Sequence, residues 1–153
     1  MDQGQLLSSV EGLPRPSAGS TEEFVDKKAS LAERVNRTLE KRTDLEKLIG
    51  PGNLAAMKGN HYHQALFFES FFLVFDPRVL VEAAPWAYRT YRSHGFTPSY
   101  WPVQLNAWVE ALGMELTPGA AGEIAPFFQW ILEHLPDFPE PKNPGGAITV
   151  PGR

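Results

Sequence analysis

Two imidazoles flanking a tyrosine, His61-Tyr62-His63, are the first place in this sequence where chemistry could gather. Side chains two residues apart point to different sides of a helix, so this pair is poorly placed to hold one ion. No third ligand stands beside it at His-x-x-x-His or Glu-x-x-His spacing, and the sequence points to no metal site. The chain has no cysteine, which removes disulfides, thiolate metal sites, a thiol nucleophile and any thioether-linked cofactor. No Ser-His-Asp constellation, Gly-x-Ser-x-Gly turn or phosphate-cradling glycine loop is legible, and the carboxylates are scattered. The sequence reads as that of a protein that is not an enzyme.

His61 differs from His63 in its surroundings. It falls in an apolar helical stripe read as Leu54, Met57, His61, Phe68 and Phe72. Two readings stay open there: a core histidine satisfied by a backbone carbonyl, or a polar anchor in a pocket whose neighbours one turn away are Met57, Gln64 and Ala65. Such a pocket suits a flat organic ligand with a few polar atoms. Aromatic density fits either reading, with Phe67, Phe68, Phe71 and Phe72 on one helix, Trp86, Tyr88 and Tyr91 on the next, and Tyr100, Trp101 and Trp108 beyond. Arg89 and Arg92 could pair with a ligand carboxylate if either fork points inward. His63 reads as a boundary residue, and His94 before Gly95 as a helix-end cation.

The elements that must position these residues are all helical. Ser20-Thr21-Glu22-Glu23 has capping-box spacing, and Phe24, Leu31, Val35 and Leu39 follow at helical intervals to about Arg42. Thr43 or Asp44 can cap a short turn carrying Leu45, Leu48 and Ile49, ended by Gly50-Pro51-Gly52. A second long helix runs from Asn53 to about Phe75. Asp76-Pro77 opens a third that closes at Gly95 and should kink at Pro85. Thr97-Pro98 opens a fourth with Trp101, Leu105, Trp108 and Leu112 on one face. Thr117-Pro118 opens a fifth carrying Ala121, Ile124, Phe128, Ile131 and Leu135, stopped by Pro136. Residues 1–19 and 136–153, rich in Gly, Pro and polar residues, read as flexible tails around a domain of residues 20–135. The expected fold is all-α, a helical bundle or globin-like packing of about five main helices.

Composition narrows the partners. A formal charge of −4 without a basic run lacks the footprint of a phosphate-backbone binder. No stretch approaches about 18 consecutive apolar residues, and the first residues have neither the basic region nor the apolar run of a signal peptide. The sequence therefore points to a cytoplasmic protein that engages neither nucleic acid nor membrane. Asn36-Arg37-Thr38 matches a glycosylation sequon but falls mid-helix and carries no weight.

The run from His61 through Pro98 sets an aromatic-rich helix, Asp76-Pro77, a helix with Trp86 and Tyr-Arg pairs, and Gly95-Phe96-Thr97-Pro98 in that order. It resembles the globin-like domains related to phycocyanins, and most of all the non-haem photoglobin group found alongside cobalamin-type photosensor domains in bacterial signalling proteins. The resemblance spans roughly residues 21 to 135 and lies in spacing and helix layout. It implies a globin fold whose central pocket holds a biliverdin-type linear tetrapyrrole for light sensing or signalling. In phycocyanins a cysteine bonds the bilin, and an Arg-Asp pair shortly after it contacts the propionate and the pyrrole nitrogens. The corresponding positions fall at Met57, Gly59 and Asn60, or one residue on at His61. Met57 excludes a covalent link. Asn60 or His61 would accept the pyrrole hydrogen bonds, and Lys58, Arg89 or Arg92 would replace the propionate-binding arginine by charge. Haem ranks below bilin, because only His94 could serve as a proximal ligand and it sits at a helix end.

Taken together, the expectation is a signalling or photosensory accessory domain holding a bilin non-covalently through Met57, Asn60, His61, Gln64, Trp86, Arg89 and Tyr100, and passing its signal to a separate protein partner. The alternative is a ligand-free helical interaction module, with self-association through the first long helix. A hollow below about 300 Å³ beside His61 would favour the module.

Overall fold

A computed structural model describes residues 1–139, in which helices α1 (Gln3–Glu11), α2 (Ala18–Glu40), α3 (Leu45–Ile49), α4 (Leu54–Val74), α5 (Pro77–Ser93), α6 (Tyr100–Glu115) and α7 (Pro118–His134) precede a 3-10 turn at Leu135–Asp137. Among the described residues no strand occurs, and the expected all-α class is what the chain adopts. None of these helices is long and apolar enough to cross a membrane.

The helix count is seven among the described residues, not five, chiefly because the first nineteen residues are not a tail. Asp2 and Gln5 form a reciprocal cap: Asp2 Oδ1 accepts from the Gln5 amide at 2.8 Å and Gln5 Oε1 from the Asp2 amide at 2.9 Å. Leu6 and Val10, one turn apart, are buried, and Ser9 accepts a hydrogen bond from the Trp130 indole at 2.8 Å. At the other end the expected tail begins later than Pro136, since Phe138 is buried beside Tyr88 and Trp130. The remainder of that segment lies outside the described residues.

Helix α2 also starts earlier than its sequence signal. Ser17, three residues before the expected cap, accepts from the Ser20 amide at 3.2 Å, and the Glu123 carboxylate ties this helix start to α7 through the Ser17 amide at 2.6 Å and the Ser20 hydroxyl at 2.6 Å. Phe24, Leu31, Val35 and Leu39 are buried as the spacing predicts, and they pack on α4, α6 and α7. The apolar face of α2 is thus occupied within its own chain, which leaves little of it for the self-association expected there.

Two further signals are redirected. Thr97 does not cap α6; its amide and hydroxyl donate to the Leu48 carbonyl at 2.8 and 3.1 Å, and Ser99 becomes the N-cap residue. This junction is close enough that a Cβ on Gly50, which already has φ +84°, would stand 3.0 Å from the Gly95 carbonyl oxygen. Leu54, placed in the α4 core stripe by its spacing, is 44% exposed, while Ala65 and Phe71 join Met57, His61, Phe68 and Phe72 inside.

Helix α4 ends at Phe75, a non-glycine residue at φ +28°. The Phe75 ring packs on Phe71 and Phe127, and the Arg15 guanidinium stands 5.7 Å from its centre while donating to the Leu73 carbonyl at 2.9 Å. A cation therefore satisfies carbonyls at the negative end of α4. Helix α5 starts on the expected Asp76 cap and runs through Pro85, whose missing N–H leaves the Val81 carbonyl without its helical donor. Its main backbone neighbour is α1, and it meets α6 through the Tyr88 and Tyr91 rings, which pack on Trp101 and Tyr100.

Candidate functional site

The polar residue of the α4 stripe has an explanation in packing. His61 is fully buried, with Nδ1 against Asn36 Oδ1 on α2 and Nε2 2.8 Å from the Tyr100 hydroxyl on α6. Asn36 Oδ1 accepts only, so Nδ1 carries the proton and Nε2 accepts from Tyr100. Burial pushes the His61 pKa from 6.5 down to about 3, so the imidazole is neutral at neutral pH, and burial raises the Tyr100 phenol well above its usual value. Three helices are thereby pinned by one satisfied polar triad. The hollow beside the imidazole is filled by Asn36 and Tyr100 themselves.

Space opens one turn further along α4. A partly open cleft of about 170 Å³ lies between α4, α5, α6 and the end of α7, with Phe68, Leu80, Trp86, Trp101, Gln104 and Ile131 in its wall. Gln64 sits at its side, its Oε1 accepting from the Trp108 indole at 2.9 Å and its Nε2 donating weakly to the Tyr91 hydroxyl at 3.5 Å. His63 is exposed at the edge. Among the described residues, no Asp, Glu, Lys or Arg lines the cleft.

The expected site residues therefore divide. Gln64 and Trp86 line the cleft. Met57, His61 and Tyr100 are packed in the core beside it, and Asn60 and Arg89 are half-buried outside it. Of the other two cations considered, Lys58 pairs with Glu40 at 3.3 Å and Arg92 has its guanidinium 5.7 Å from the Tyr88 ring centre. A bilin clamp built on Met57, Asn60 and His61 has no space at those positions.

Two residues that matter were not singled out by sequence. Asn36 is 3% exposed, and only its sequon drew attention to it. Gln104 is fully buried, and the signal was present: it stands three residues after Trp101 and four before Trp108, on the same buried stripe. Both of its amide atoms, together with the Trp86 and Trp101 indole nitrogens, are sealed from solvent without a hydrogen-bond partner among the described residues. An unmet buried polar group costs about 1–3 kcal/mol, and four such atoms on three side chains around one cleft are a concentration that packing alone does not call for.

Among the described residues, no group of three His, Cys, Asp or Glu is placed to hold a metal ion. Comparison with protein-family models, with curated proteins and with solved structures found no match for the chain.

Proposed function

We propose that this domain binds, without transforming it, a flat and largely apolar organic molecule in the cleft between α4 and α7. The observation that carries the reading is an aromatic-walled space without Asp, Glu, Lys or Arg among its described lining residues, next to polar groups awaiting partners. Sites that engulf a drug-sized ligand measure about 300–1,000 Å³. At about 170 Å³ this cleft takes a one- or two-ring molecule. A bilin, the ligand implied by the photoglobin resemblance and its globin fold, fits this reading as a guest held by one end ring, with its propionates outside. Signalling would then follow from a change in α5, which carries Trp86 of the cleft wall.

Titration with biliverdin and with naphthalene, followed by visible absorption and by tryptophan emission, tests the proposal. Binding of either at micromolar concentration, with quenching of the wall tryptophans, supports it. Failure of both removes it.

A second reading, a helical docking module for a protein partner, is favoured by two features: the cleft, at about 170 Å³, falls below the 300 Å³ that separates the two readings, and Tyr62, Leu66 and Leu73 follow one another along an outer face of α4 with 40%, 49% and 56% exposure. Under that reading Leu66→Lys would abolish any concentration-dependent association seen by sedimentation velocity. Identical sedimentation of both proteins at all concentrations would exclude self-docking through this face.

A further inference from the structure

We propose that the cleft selects its ligand by a lactam edge, that is, by adjacent ring N–H and C=O groups of a neutral planar heterocycle. The inference rests on the ligand-binding reading above and adds the chemistry of recognition.

The Gln104 side chain is the starting point. It is fully buried on α6, and neither its amide oxygen nor its amide nitrogen has a partner among the described residues. A primary amide presents an acceptor and a donor side by side. The matching edge is another amide held cis, which in a flat molecule is a lactam, and the pair closes with two hydrogen bonds. The Trp86 and Trp101 indole N–H groups, also unpartnered, are donors only; they ask for further acceptors, such as a second ring carbonyl or a ring nitrogen. The wall thus offers three donor groups, one amide and two indole, and one acceptor, all on side chains that line the same space.

Charge is excluded by the same wall. With no Asp, Glu, Lys or Arg among its described lining residues and His63 exposed at its edge, the interior of the cleft offers no counter-ion, and burying an unpaired charge there is strongly unfavourable. A carboxylate or ammonium group on the ligand must stay in water. The rest of the lining, including Phe68, Leu80, Leu105 and Ile131, supplies apolar faces for a ring to stack on.

The four polar atoms lie just behind the accessible surface, so a ligand reaches them as the aromatic wall shifts. In α5, Pro85 interrupts the hydrogen-bond ladder immediately before Trp86, which is where the wall would give.

The test compares carbostyril, a bicyclic lactam, with naphthalene, its apolar counterpart of the same shape, by tryptophan quenching and by the indole N–H signals of the full chain. The expected result is about tenfold tighter binding of carbostyril, the gain expected of two hydrogen bonds made to otherwise unpaired groups, with a downfield shift of the Trp101 indole proton, one turn from Gln104 on α6, at the second lone pair of the lactam carbonyl. Gln104→Leu should bring the two affinities within about twofold while naphthalene binding persists. Should that variant fold poorly, Gln104→Met and Trp101→Phe probe the same contacts, and each should weaken carbostyril selectively. If naphthalene binds as tightly as carbostyril to the unaltered protein, the lactam inference is wrong and the ligand-binding proposal stands. If neither binds, the lactam inference falls, and the ligand-binding proposal falls with it when biliverdin also fails to bind.

Discussion

At the residue scale, His61 and Gln104 show two outcomes for a polar side chain in an apolar stripe. The imidazole is satisfied on both nitrogens and held neutral. Its folded pKa lies below the unfolded value, so its contribution to stability is complete above about pH 6.5 and is lost as pH falls from there towards about 3. Across that window wild-type stability should fall by roughly 1.4 kcal/mol per pH unit on account of this one group. His61→Gln should lack that component of the slope, while losing about 1–3 kcal/mol at pH 7 from the broken triad. Urea unfolding of both proteins at pH 7 and pH 5 measures it, and equal slopes would contradict the assignment. The amide of Gln104 behaves oppositely. In the absence of ligand, Gln104→Leu should leave stability unchanged or raise it by about 1–3 kcal/mol, because two unpaired polar atoms disappear from the core; a large loss of Tm would mean that the amide is structural. The position of His61 in its stripe was legible from spacing. Its partners were not, because Asn36 lies twenty-five residues away on a different helix, and only the crossing of α2 and α4 makes them neighbours.

At the element scale, the local signals worked where a cap is decided by its own turn. Asp76 before Pro77 and Thr117 before Pro118 both cap as read, with Asp76 accepting from the Arg78 amide at 3.0 Å and Thr117 from the Ala120 amide at 3.4 Å. They failed where a distant partner competes. The Thr97 hydroxyl is drawn to the Leu48 carbonyl, a contact no local window contains. The first helix was missed for another reason: glycine, serine and glutamine outweighed a capping box and the Leu6/Val10 pair, on a helix held in place by α5 and by the Ser9 to Trp130 hydrogen bond to α7. This dependence is mutual. Leu6→Ala should cost about 2–5 kcal/mol and should accelerate amide exchange in α5 more than in α4, since α1 is the principal neighbour of α5. Unchanged protection in α5 would show that its support lies elsewhere.

At the scale of the whole molecule, the all-helical character was readable from periodicity and the absence of alternating runs, whereas the arrangement of the helices was not. Which faces meet is decided by long-range pairs such as Phe68 on Phe128, with ring centres 4.2 Å apart, and Glu123 on the start of α2. The cleft follows from the same arrangement: it lies where α5 leans on α1 and leaves a gap toward α4 and α6. Filling that gap with a bulkier wall, as in Ala84→Phe, should block naphthalene and carbostyril alike while the helical circular dichroism remains; undiminished binding would move the site elsewhere on the molecule. The lack of fixed charge along the described wall has one further consequence. A weak acid can lodge there only after taking up a proton, and a weak base only after giving one away, so occupancy by such compounds would be coupled to hydrogen-ion exchange with the buffer. Ligand uptake would respond to acidity through the guest's own proton, without a carboxylate, ammonium or guanidinium in the described wall.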